Sequence, residues 1–136
     1  FTHDLFNKAF ELVGPDNIAT NQVEIHPFLQ NRKLVDFARD ENLHLTAYMP
    51  LAVGKVMQDE TLDRIAEEHG ATPPQVAMAW LMQQGIAVIP SSTKRLHLES
   101  NLEAERVRLS ADDLNFIARL DAGGRIANPD FAPEWD

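Results

Sequence analysis

Ile86-Ala87-Val88-Ile89 is an unbroken apolar run of strand length, fenced by Gly85 and Pro90. It lacks the alternation of a strand that faces water on one side, so the expectation is a strand buried on both faces within a parallel sheet. The flanks agree. Thr72-Pro73-Pro74-Gln75 has the form of a capping box with proline at the first helical position, which predicts a helix from there to Gln84, stopped by Gly85. Beyond the polar turn Pro90-Ser91-Ser92-Thr93-Lys94, another helix is predicted around Leu96 to Ala104. Helices alternating with buried strands make right-handed βαβ units and a parallel sheet.

The rest of the chain repeats that order. From the N-cap Thr2, Leu5, Phe6, Ala9, Phe10 and Val13 recur at helical spacing until Gly14-Pro15. Ile18 to Ile25 reads as a β-branched strand ending at Pro27, and a helix with the apolar stripe Leu34, Val35, Phe37 and Ala38 follows, ended by Asn42. Leu43 to Tyr48 is a second strand, Leu51 to Asp59 a loop, and Thr61 to His69 a short helix stopped by Gly70. Ser110, with Asp113 three residues on, opens a last helix, and residues 123–136 form a proline-containing tail. Only three strands are found, so a sheet built from them has two raw edges, to be covered by a missing N-terminal half or another copy. Together with a first residue that is Phe rather than Met, this reads as a single partial domain over residues 1–136.

Composition removes whole classes of function. Lys and Arg number 12 against 21 Asp and Glu, a net charge of -9 without any basic stripe, so nucleic acid is not an expected partner. No apolar run approaches the ~20 residues of a membrane helix. The absence of cysteine removes disulfides and thiolate chemistry and suits a reducing compartment, the cytoplasm being the expectation.

The chemistry-bearing residues are sparse. His3, His26, His44, His69 and His97 show no metal-ligand spacing, and His26 before Pro27 reads as a strand-end histidine held by a hydrogen bond. Asp112-Asp113 lies where carboxylates favour a helix start, and Ser91-Ser92 lacks the surroundings of a nucleophile elbow. What remains collects at the C-terminal ends of the strands: Gln22, Tyr48, and the turn Ser91-Ser92-Thr93-Lys94-Arg95. Ligands of parallel α/β folds bind at that edge, because loop amides and helix N-termini converge there. The turn suits a phosphate, but taken alone it fits an ordinary capped loop better.

Three segments then carry a resemblance. Asn21-Gln22-Val23-Glu24-Ile25-His26-Pro27, Ala47-Tyr48-Met49-Pro50-Leu51, and Val88-Ile89-Pro90-Ser91-Ser92 through Ser100-Asn101-Leu102 resemble, in order and spacing, the last three strands of the aldo-keto reductases. The tail from Asn128 to Asp136 is most similar to that of the bacterial 2,5-diketo-D-gluconate reductases, which also reduce methylglyoxal-type aldehydes. The resemblance implies an α/β fold, the C-terminal portion (strands 6–8 with their helices) of a (β/α)8 TIM barrel. It also implies that the catalytic tetrad lies in the first four strands, outside this chain.

By the same resemblance, Gln22 would hydrogen-bond the nicotinamide carboxamide and Tyr48 would stack on its ring. Backbone amides from Met49 through Leu51 and Ala52 to Val53 would hold the pyrophosphate, while Ser91, Ser92, Thr93, Lys94, Arg95, His97 and Asn101 would surround the adenosine end. The family carries a Lys and an Arg where this chain has Ser91 and His97. NADP(H) is therefore the implied cofactor with NAD(H) also possible, and Lys94 and Arg95 would have to replace the lost cations. The implied activity is reduction of small aldehydes and ketones by a complete enzyme, this chain alone being inactive. A non-catalytic module that binds nucleotide or a protein partner is the alternative.

Overall fold

The computed structural model describes all residues 1–136. Its centre is a three-stranded sheet in the order β1 (Asn21–Glu24), β2 (Leu45–Tyr48), β3 (Ala87–Val88). Both pairings are parallel, with Val23 opposite Ala47 and Ala47 opposite Val88. Each strand follows a helix: α1 (His3–Val13), α2 (Arg32–Asp40), and the mutually packed α3 (Glu60–His69) and α4 (Pro73–Gln83). After β3 come α5 (Arg95–Leu102) and α6 (Ala111–Ala118).

The helix boundaries follow local chemistry. The Thr2 hydroxyl accepts the Leu5 amide at the start of α1, and Asp59 accepts the Leu62 amide at the start of α3. Thr72 with Gln75, and Ser110 with Asp113, form the two expected capping boxes. Gly70 ends α3 in the left-handed conformation at φ 60°, and Asn42, at φ 53°, follows the end of α2. One face of the sheet packs on α4, whose Val76, Ala77, Leu81 and neighbours are sealed together with Val23, Leu45 and Ala47. Each fully covered Val, Leu or Ile there contributes roughly 1.5–3 kcal/mol.

Several expectations change, the second and third strands also being shorter than expected, at Leu45–Tyr48 and Ala87–Val88. The first strand is shorter than residues 18–25, because its ladder begins only where the Asn21 amide reaches the His44 carbonyl, and a 3-10 turn occupies Pro15–Asn17. The predicted loop at 51–59 contains 3-10 turns over Ala52–Gln58, kinked at Val53 and Gly54. The helix predicted to Ala104 closes at Leu102 and tightens into a 3-10 turn over Glu103–Arg106. The third strand is not buried on both faces: Ala87 is exposed and Ile89 is 45% exposed, since Ala87, paired with Thr46, lies on the sheet face opposite the helix-covered core. No helix is long and apolar enough to cross a membrane.

Candidate functional site

Strand alternation divides β1 and β2 into two faces. Val23, Leu45 and Ala47 point into the helix-covered core, leaving Gln22, Glu24, Thr46 and Tyr48 on the opposite face. The register pairs Gln22 with Thr46 and Glu24 with Tyr48, so Gln22 and Tyr48 are diagonal neighbours on that open face. Gln22 is exposed and Tyr48 half-buried, which leaves an amide and an aromatic face free for a planar ligand. Burial, and then the nearby Glu24 carboxylate, push the Tyr48 phenol up, with Arg125 pulling the other way. A raised phenol is a poorer proton donor.

Immediately beyond Tyr48 the backbone departs from ordinary geometry. Met49, Ala52, Val53 and Gly54 have φ of 50°, 48°, 53° and 85°. A β-branched residue at positive φ is strained, and such strain persists where surrounding structure imposes it. The Ala52 and Gly54 amides turn inward to the Met49 and Leu51 carbonyls, both at 2.9 Å, while the Leu51 and Val53 amides donate to no carbonyl of the chain. Free amides in a left-handed loop form a cradle for an anion.

The loop leads into a cleft of about 430 Å³ between the start of α3, the start of α4 and α5. Leu51, Ser91, Ser92, His97 and Asn101 line it, together with Asp63. The Ser92 hydroxyl accepts the Lys94 amide at 3.1 Å, and Gln75 secures Ser100 by donating to its carbonyl at 2.8 Å. Five sequence-nominated residues thus come together there. Thr93, Lys94 and Arg95 are exposed beside the cleft rather than in its lining, and Arg95 is held by Glu99 at 2.7 Å.

Two participants escaped the sequence reading. Asp63 was one polar position of a short helix, and its approach to Ser91 and His97 depends on how α3 packs. Glu24 carried a usable signal, a charge set between Val23 and Ile25 in a strand. It is fully buried, and accepts the amides of Ile126 at 2.7 Å and Ala127 at 2.8 Å, because the tail crosses the sheet end at that point. His26, also fully buried, meets Glu24 through Nε2 at 3.0 Å, as a strand-end histidine should, while its Nδ1 has no partner. Asp113 serves as a cap and additionally meets His69 Nε2 at 2.8 Å. No group of three or more His, Cys, Asp or Glu side chains is gathered in a way that could hold a metal.

An open polar sheet face, a loop with free amides and a cleft lined by Leu51 follow one another along the chain, and comparison with known proteins gives the chain a family. The aldo/keto reductase family model matches residues 1–122, so the chain belongs to the aldo/keto reductase family. It is 53% identical to the methylglyoxal reductase DkgB of Escherichia coli O157:H7 over 100% of this chain and 51% of that protein. It is 38% identical to the aldo/keto reductase slr0942 of Synechocystis sp., over 83% of this chain and 38% of that one. A crystal structure described as a 2,5-diketo-D-gluconic acid reductase B superposes with a TM-score of 0.94 at 37% identity, covering 100% of this chain and 49% of the other. A Gox0644 mutant in complex with NADPH superposes at 0.87 with 34% identity, over 98% and 49%. The chain spans about half the length of the methylglyoxal reductases it matches.

Proposed function

We propose that this chain is the cofactor-holding part of an NADP(H)-dependent reductase of small aldehydes and ketones. It corresponds to strands 6–8, the C-terminal portion of a (β/α)8 barrel. The observation that carries the reading is the placement of Gln22 and Tyr48 side by side on one sheet face, with the free Leu51 and Val53 amides just beyond Tyr48 and Leu51 itself lining the cleft of Ser91, Ser92, His97 and Asn101. A dinucleotide has the same order of parts: a planar ring, a diphosphate and an adenosine. The relatives' names, methylglyoxal reductase and 2,5-diketo-D-gluconic acid reductase, suggest the substrate class.

In this reading Gln22 binds the carboxamide and Tyr48 covers one ring face, which leaves the other face toward the carbonyl compound. The Leu51 and Val53 amides would donate hydrogen bonds to the diphosphate. The bound dinucleotide supplies the hydride. Tyr48 is taken up by the ring face in this reading, so the acid and its partners would come from the other half of the complete enzyme, and this chain alone is inactive. Calorimetric titration of the purified chain with NADPH tests the reading, with Tyr48→Ala as the comparison. Saturable binding weakened by the substitution is expected. Absence of binding overturns the cofactor assignment, and aldehyde-dependent NADPH oxidation by the chain alone overturns its incompleteness.

A further inference from the structure

The cleft assigned to the adenosine end has an unexpected charge. Of its lining side chains, Asp63 alone carries a fixed charge, for the others are apolar or neutral apart from His97. No cation compensates it. Asp63 forms no ion pair, its neighbour Arg64 is committed to Glu68 at 2.7 Å and lies over the Phe116 ring, and Arg95 is committed to Glu99. Nor does α3 need this carboxylate, since Asp59 already caps the helix and Glu60 already supplies a negative charge to the first turn.

Resting on the nucleotide reading above, we propose that Asp63 is a specificity-determining residue that works against the cofactor's 2′-phosphate. A 2′-phosphate brings nearly two negative charges into a cleft that offers Ser91, Ser92 and Asn101 as neutral partners and Asp63 as a repelling one. An unphosphorylated ribose meets no such penalty, and its hydroxyl can donate to a carboxylate, the arrangement by which acidic residues select NADH in other nucleotide folds. Lys94, exposed and outside the lining, is the positive side chain that would attract the phosphate. Asp63 accordingly narrows the preference for NADPH that Lys94 would otherwise set.

The test is the ratio of NADPH to NADH dissociation constants for the unsubstituted chain, Asp63→Asn and Asp63→Ser, with Glu60→Gln as a control. Glu60 lies in the same first turn but outside the cleft lining. At low ionic strength both Asp63 variants should shift the ratio toward NADPH by about threefold or more, and the shift should shrink at about 0.5 M salt, where screening is shorter than the cleft. Glu60→Gln should shift it by less than half as much. If both cofactors bind and the Asp63 variants leave the ratio unchanged, or Glu60→Gln changes it equally, the specificity role is overturned while the nucleotide site stands. If neither cofactor binds the unsubstituted chain, the nucleotide reading fails and takes this role with it.

Discussion

The Glu24 carboxylate accepts the Ile126 backbone amide at 2.7 Å, joining the first strand to the tail across 102 residues of chain. The same carboxylate takes the Ala127 amide and His26, and the Glu24 carbonyl accepts Asn31 Nδ2 at 2.6 Å. Asn31 in turn accepts from Arg125, whose guanidinium lies 3.7 Å from the centre of the Trp135 ring. The tail, lacking helix or strand, is thereby fixed beside Tyr48.

Removing this carboxylate should free the tail. Glu24→Ala leaves two amides and a buried imidazole without their acceptor, so a loss of about 3 kcal/mol is expected, at the level measured for broken buried polar networks. Denaturant unfolding gives the magnitude. Hydrogen exchange should show lost protection at Ile126 and Ala127 while β2 stays protected, and unchanged exchange there would refute the latch.

The buried histidine should make stability depend on pH. Burial lowers the His26 pKa from its ordinary 6.5, against the opposing effect of Glu24, with Lys55 and Arg125 adding to the lowering. The unfolded chain therefore takes up a proton before the folded one does. Stability should fall as pH drops below 6.5 toward the folded value, and be independent of this group above 6.5. Urea unfolding at closely spaced pH values checks it: His26→Gln should flatten that part of the profile.

Asp113 has the opposite pH signature. Burial raises its pKa, but the Ser110 amide and His69 outweigh that and hold the carboxyl below its ordinary 3.8. Its contribution is present above 3.8 and is lost as pH falls through the lower, folded value. Asp113→Ala should cost about 1–2 kcal/mol near pH 7, the usual cost of a lost cap, and the gap to the unsubstituted chain should close in acid.

Tyr48→Ala should weaken dinucleotide binding by about 1 kcal/mol, roughly fivefold, through loss of an aromatic partner. If the ring only fills space at the sheet end, the melting temperature will drop while affinity, corrected for folded fraction, stays constant. Measuring both on one preparation separates these outcomes.

The sequence by itself determined the local structure and the sheet edge at which the site stands. Thr72-Pro73-Pro74-Gln75 and Ser110 with Asp113 cap their own helices within one turn, so their signals are read without knowing the fold. The order of strands and helices likewise put Gln22 and Tyr48 toward the C-terminal strand ends, whereas the face they share follows only from the register that pairs Gln22 with Thr46 and Glu24 with Tyr48. Tertiary structure decided what depends on distant segments meeting. The apolar run at Val88 and Ile89 could not reveal that β3 would be a half-exposed edge, because burial is conferred by neighbours rather than by the strand. The left-handed backbone at Ala52 opposes local preference and is held by the residues packed around its buried side chain. Asp63 reaches the cleft through the packing of α3 on α4, and Glu24 is covered only because the tail returns to it. Each of these contacts closes a long loop, and its energy resides in a juxtaposition that no short window of sequence contains.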